Sequence, residues 1–171
     1  AFSVKDENYD NNPYMFQINI PQEYMYVDVC DWISSDFKDY EFVFVHKRGI
    51  AKKDIADKLK SHLESENMIV KEVEYTSVLT YDILLEQVEV NKKTVFIPTS
   101  GTKTVLSQMI PALKKLKAEN PLLESAIVGY PEWVVYMEDW KEDYHTLNTH
   151  FYSRVFVDNS DVKTELFKEE Y

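Results

Sequence analysis

A chain of 171 residues is long enough for one domain with a buried core. Its 44% hydrophobic and 14% aromatic content, with no low-complexity tract, argues for a folded globular protein rather than a disordered chain. A formal charge of −11 at pH 7 argues against a nucleic-acid partner, which requires clustered Lys and Arg. No apolar run approaches the roughly 20 residues that span a bilayer, so the protein is not expected to be membrane-spanning.

Residues 1–13, polar and rich in Asn and Asp, read as a flexible lead-in, and residues 14–171 as a single α/β lobe. Residues 16–20 alternate with period two before Pro21, as a short strand or an extended linker does. A first helix is expected over residues 22–37. In it Tyr26, Val29, Cys30 and Ile33 follow the i, i+3, i+4, i+7 spacing of one buried face. Cys30 is flanked by Asp28 and Asp31, so it reads as core packing rather than as a reactive thiol.

Residues 41–46 form a strand, apolar at four consecutive positions as central strands are. Ala51, Ile55, Leu59 and Leu63 mark the stripe of a second helix, and Asn67 suits its left-handed cap. The strand at residues 68–75 carries Lys71, Glu72 and Glu74, charge that suits a sheet edge. A short helix over residues 80–88 follows.

Residues 93–133 then form a βαβ unit. It comprises a strand at 94–97, the turn Pro98-Thr99-Ser100-Gly101-Thr102, an amphipathic helix to about residue 118, and a strand at 126–128 that breaks at Gly129-Tyr130-Pro131-Glu132-Trp133. Pro111 inside that helix predicts a kink or a late restart. A helix over residues 139–147, a strand over 151–157 and a helix over 162–170 complete the order. The fold class is α/β, a doubly wound (flavodoxin- or Rossmann-like), mostly parallel sheet of about five strands in the order 2-1-3-4-5, with helices on both faces.

Such sheets bind ligands beyond the carboxyl ends of their strands, where both turns of the βαβ unit lie. The turn Thr99-Ser100-Gly101-Thr102 reads in two ways. It can be a polar nest for a carboxylate or phosphate ahead of a helix N-terminus, or Ser100 or Thr102 can simply cap the helix. Trp133 and Tyr136 either form a stacking surface at the cleft or cover the end of the sheet. Asp139, Glu142 and Asp143 serve the dipole of a helix start rather than a metal. The small clusters Lys52-Lys53 and Lys114-Lys115-Lys117 read as solvated helix faces.

The glycines at 49, 101 and 129 are too far apart for a dinucleotide or Walker loop, and no Gly-x-Ser-x-Gly elbow occurs. The histidines at 46, 62, 145 and 150 include no pair at zinc spacing. No catalytic residue, metal or cofactor is therefore expected.

The strand ending in His46-Lys47-Arg48-Gly49, the Asn67-led strand ending near Tyr75, the Val-Phe-Ile-Pro-Thr-Ser-Gly strand-turn and the Val-Gly-Tyr-Pro-Glu-Trp segment together resemble one lobe of type I periplasmic binding proteins. This is the branched-chain amino-acid receptor type, and the chain is especially similar to the receptor-like regions of LysM-containing cell-envelope proteins of Gram-negative bacteria. Residues 16–21 resemble the crossover strand entering that lobe, and residues 151–158 the strand leading out of it.

The resemblance implies a fragment of a two-lobe, non-catalytic solute-binding protein of the periplasm or cell envelope. Its partners would be the missing second lobe and a small polar ligand or peptidoglycan-derived cell-wall fragment. Arg48, Ser100, Gly101, Thr102 and Glu132 then face the cleft beside Trp133, with Glu132 meeting a ligand ammonium. The family's aromatic contacts near Arg48 and Ser100 are missing here. Two alternatives stand beside this reading: an interaction scaffold with a lost pocket, and a flavodoxin-like enzyme holding a phosphate-containing ligand at residues 98–102.

Overall fold

A computed structural model describes residues 22–89 and 91–152. Its contacts divide the chain into a unit of residues 26–153 and a second unit of residues 1–25 with 154–171. The packing described below belongs to the first. The lead-in, the strand at 16–20 and the helix at 162–170 fall outside the described residues.

The elements run α1 (Gln22–Asp36), β1 (Tyr40–Lys47), α2 (Asp54–Ser65), β2 (Val70–Tyr75), α3 (Tyr81–Leu85), β3 (Lys93–Pro98), α4 (Lys103–Glu119) and β4 (Ser125–Gly129). A 3₁₀ turn (Pro131–Tyr136), α5 (Met137–Thr146) and β5 (Thr149–Phe151) follow. The five strands form one sheet in the order β2-β1-β3-β4-β5, with every neighbouring pair parallel. The doubly wound α/β architecture and its strand order are as the sequence pattern predicts.

Handedness assigns the layers. The chain moves one way from β1 to β2 and the other way from β2 through β3 and β4 to β5. Right-handed crossovers therefore put α2 on one face and α3, α4 and α5 on the other. Strand alternation agrees. Val43, Val45, Val73, Phe96 and Ile127 join Leu84, Leu106, Met109, Leu113 and Tyr144 in one core cluster. Ile97 and Val128, of opposite parity, meet Val29, Ile33, Ile55 and Leu59 from α1 and α2 around a void of about 10 Å³. That void is too small for anything beyond one water.

Phe42 to Val45 and Val95 to Ile97 are at most 2% exposed, so β1 and β3 are buried on both faces. Each such large apolar side chain contributes about 1.5–3 kcal/mol by leaving water.

Some boundaries differ from expectation, each for a local reason. The second helix starts at Asp54 rather than near Ala51, because Lys53 is its N-cap and the Lys53 N–H is bonded to the Thr99 carbonyl at 2.8 Å. Ala51 is exposed ahead of it. The helix ends as Asn67 suggests: Asn67 has φ +58°, its N–H donates to the Glu64 carbonyl, and the Met68 N–H donates to the Leu63 carbonyl, which is a Schellman closure. Pro111 does not divide α4, which runs unbroken for 17 residues. Pro111 and Ser107 lie on its exposed face, where water can serve the freed carbonyl, while Met109, Ile110, Ala112 and Leu113 hold the buried face on both sides. The last strand is described only as Thr149–Phe151, and residues 153–157 of the expected strand lie outside the described residues.

The edge charges of β2 are tied back into the molecule. Lys71 donates to Glu41 at 2.7 Å, Glu72 accepts from Lys52 and Lys60, and Glu74 accepts from Arg48. Glu41, the second residue of β1 at the amino end of the sheet, is only 4% exposed. Burial pushes its carboxyl pKa up, but the Lys71 and Lys92 ammoniums together overrule it and hold it below the ordinary value.

Cys30 is buried, and its thiol pKa is pushed to about 11 by burial and by Asp31. A thiol reagent at neutral pH should label it only as fast as the protein unfolds. Stoichiometric labelling within minutes under native conditions would contradict this.

A carboxyl pKa lowered by folding adds stability above its unfolded value of about 4.5, and that stability is lost as the pH falls through the folded value. Glu41→Gln should therefore cost about 1–3 kcal/mol in urea unfolding at neutral pH. The gap between wild type and variant should close as the pH falls below 4.5.

Candidate functional site

In a 2-1-3-4-5 sheet the topological switch point lies between β1 and β3, whose outgoing connections turn to opposite faces. The turns after β1, β3 and β4 meet there, and Thr99 is the knot. Its N–H donates to the Val45 carbonyl at 3.0 Å, its carbonyl accepts from the Lys53 N–H at 2.8 Å, and its Oγ1 lies 2.9 Å from His46 Nδ1. His46 Nε2 in turn lies 3.7 Å from Glu74 Oε2. Hydroxyl, imidazole and carboxylate thus stand in the order of an activated nucleophile. Thr99 is only 2% exposed, however, so this hydroxyl offers no face to a substrate and the row ties β1, β2 and β3 together.

Beyond Thr99, Thr102 is the N-cap of α4 and its side chain accepts from the Val105 N–H at 3.4 Å. The capping reading of the turn is the one realised at Thr102. Ser100 is 5% exposed.

Gly101 sits where three groups converge. A Cβ built on it would lie 3.2 Å from Glu132 Oε2, 3.2 Å from Tyr130 Cβ and 3.3 Å from Lys53 Cε. The Lys53 ammonium is ion-paired with Glu132 and lies 4.8 Å from the centre of the Tyr130 ring. Tyr130 is itself fixed, its hydroxyl donating to the Pro98 carbonyl at 2.8 Å. Burial, with Tyr152 and Glu132 nearby, pushes its pKa well above the ordinary value, so it stays a neutral donor.

Of the six residues that sequence reasoning placed at the cleft, the structure brings Gly101 and Glu132 together, with Ser100 and Thr102 on the same turn. Arg48 and Trp133 are placed otherwise. Arg48 is drawn toward the β2 edge, where its Nε donates to Glu74 Oε1 at 2.8 Å. Trp133 is 0% exposed. Its ring covers Gly129 at the end of β4, and its carbonyl accepts from the Tyr144 hydroxyl at 3.1 Å, so it closes the sheet end and has no face for a ligand.

Lys53 and Tyr130 were missed. Lys53 reads in sequence as part of a solvated pair, yet both lysines of that pair are ion-paired, Lys52 to Glu72 and Lys53 to Glu132. Its position between β1 and α2, at a carboxyl end, was the available signal.

Among the described residues no group of three or more His, Cys, Asp or Glu is gathered to hold a metal, and no helix is long and apolar enough to cross a membrane. Comparison with protein-family models, curated proteins and solved structures finds no match.

The two site glycines should respond differently to a methyl group. At Gly129 a Cβ would lie 2.7 Å from Trp133 Cε3 and 2.9 Å from Phe151 Cε1, inside two packed rings. Gly129→Ala should therefore lose about 1–3 kcal/mol in urea unfolding. Gly101→Ala meets the fixed Tyr130 Cβ at 3.2 Å and the movable ends of Glu132 and Lys53, all looser than the Gly129 contacts, and should lose clearly less. Equal losses would show that the β4 end is not the tighter contact.

Proposed function

We propose that this chain is a non-catalytic binding lobe that forms one wall of a small-ligand cleft in a receptor-like protein of the cell envelope. The observation that carries the reading is the rim at the switch point. There the Glu132 carboxylate, 47% exposed, stands over the buried Gly101, just beyond the end of β3. An exposed carboxylate and an exposed Thr102 on the turn after β3 suit a small polar ligand bearing N–H groups. The resemblance of the strand-turn motifs to type I periplasmic binding proteins supports the same reading, and a second lobe would supply the opposite wall.

One wall alone makes a weak site. A two-lobe receptor closes on its ligand and buries the charged ends from both sides. An isolated lobe leaves them in water, where each is screened. A second reading, an interaction scaffold, is favoured by Val134 and Val135, which are 46% and 76% exposed side by side on the 3₁₀ turn beyond Glu132.

Amide NMR spectra recorded with a panel of amino acids and muropeptides test the proposal. We expect shifts centred on Gly101 and Glu132, with affinities no tighter than about millimolar. Shifts confined to Val134 and Val135, or none at the rim for any compound, would overturn it.

A further inference from the structure

We propose that the rim contains a seat for a primary ammonium and that the protein's own Lys53 occupies it, so that an amine ligand enters only by displacing this tethered side chain. The inference deepens the binding-lobe reading, but its geometry stands on the contacts of Lys53 alone. Three kinds of group surround the Lys53 head. The Glu132 carboxylate supplies the counter-charge and accepts a hydrogen bond. The Tyr130 ring, 4.8 Å from Nζ at its centre, supplies a π face. Gly101 supplies room, because a side chain there would strike the Lys53 stem at 3.3 Å.

Nothing in this set is particular to lysine beyond its –CH₂–NH₃⁺ end. A quaternary ammonium has no N–H to give Glu132 and is not equivalent.

The tether explains why the seat is normally closed. The Lys53 main chain is held at both its polar groups, with the N–H on the Thr99 carbonyl at 2.8 Å and the carbonyl accepting from the Ala56 N–H at 2.9 Å. Only the flexible side chain is left to move. A group attached so close to its seat competes at an effective concentration on the order of millimolar or more. The Lys53 side chain is 31% exposed, so its exit to solvent is open.

Chemical rescue tests the seat. Propylammonium chloride titrated into Lys53→Ala should shift the Gly101 and Glu132 amides saturably, with an apparent affinity at least about tenfold tighter than in wild type. Tetramethylammonium chloride at equal ionic strength should not do so. Lys53→Met, whose uncharged side chain still fills much of the space of the Lys53 stem, should respond no better than wild type. Adding Glu132→Gln to Lys53→Ala should abolish the response.

A wild-type measurement stands independently of whether Lys53→Ala folds. The Lys53 Hε protons should be shifted upfield by the Tyr130 ring and should move toward free-lysine values as propylammonium is raised. Hε shifts already at free-lysine values, equal responses in wild type and Lys53→Ala, or a response surviving Glu132→Gln would each overturn the proposal. Rescue without any response to the amino-acid and muropeptide panel would sink the receptor reading and leave the seat. The converse would sink the seat and leave the receptor reading.

Discussion

Burial of β1 and β3 on both faces is the constraint from which the rest of this molecule follows. Phe42 to Val45 and Val95 to Ile97 leave almost no surface to water, so helices must cover both sides of the pair. With parallel neighbours and right-handed crossovers, two-sided cover forces the chain to reverse direction across the sheet. The reversal falls between β1 and β3, and it opens the crevice in which Thr99, Lys53, Gly101 and Glu132 meet. The location of the candidate site is thus a by-product of how the core is closed.

The crevice is rigid at its floor and adjustable at its rim. Thr99 spends its N–H, carbonyl and hydroxyl on β1, α2 and His46. Tyr130 is buried and bonded to Pro98. Above them the Lys53 and Glu132 side chains are joined by an ion pair partly open to water, the kind of contact worth little in stability and easily exchanged for another partner. A fixed base under exchangeable charges is a useful arrangement for binding. It does not by itself name a ligand.

Charge balance shapes how the fold is held. The chain has 19 Lys and Arg against 30 Asp and Glu, so cations are the scarcer partner. Many are already committed inside the fold. Lys71 and Lys92 serve Glu41, Lys52 and Lys60 serve Glu72, and Lys114 serves Asp143. Six lysines also lie over tyrosine rings, at 4.2 to 5.4 Å from their centres.

Much of this architecture was legible in the sequence. The unbroken apolar runs at 42–45 and 95–97, the charged strand between them in chain order, and the spacing of Ile55, Leu59 and Leu63 follow from periodicity and burial, which are local properties of the chain. They agreed with the strand order 2-1-3-4-5, while the spacing of Tyr26, Val29 and Ile33 marked the buried face around Cys30 and the residue type of Asn67 marked the left-handed turn. Tertiary structure alone decided which side chains meet across turns distant in sequence. Lys53 and Glu132 are 79 residues apart, and no local pattern couples them. Trp133 reads equally as a stacking surface or a plug until Gly129 and Tyr144 are seen to receive it. Arg48 lies at a carboxyl end as expected, yet Glu74 on the neighbouring strand draws it aside. Sequence determines where the strands end, because burial is read residue by residue. Only the packed sheet determines which ends share a partner, because that depends on distances no spacing rule contains.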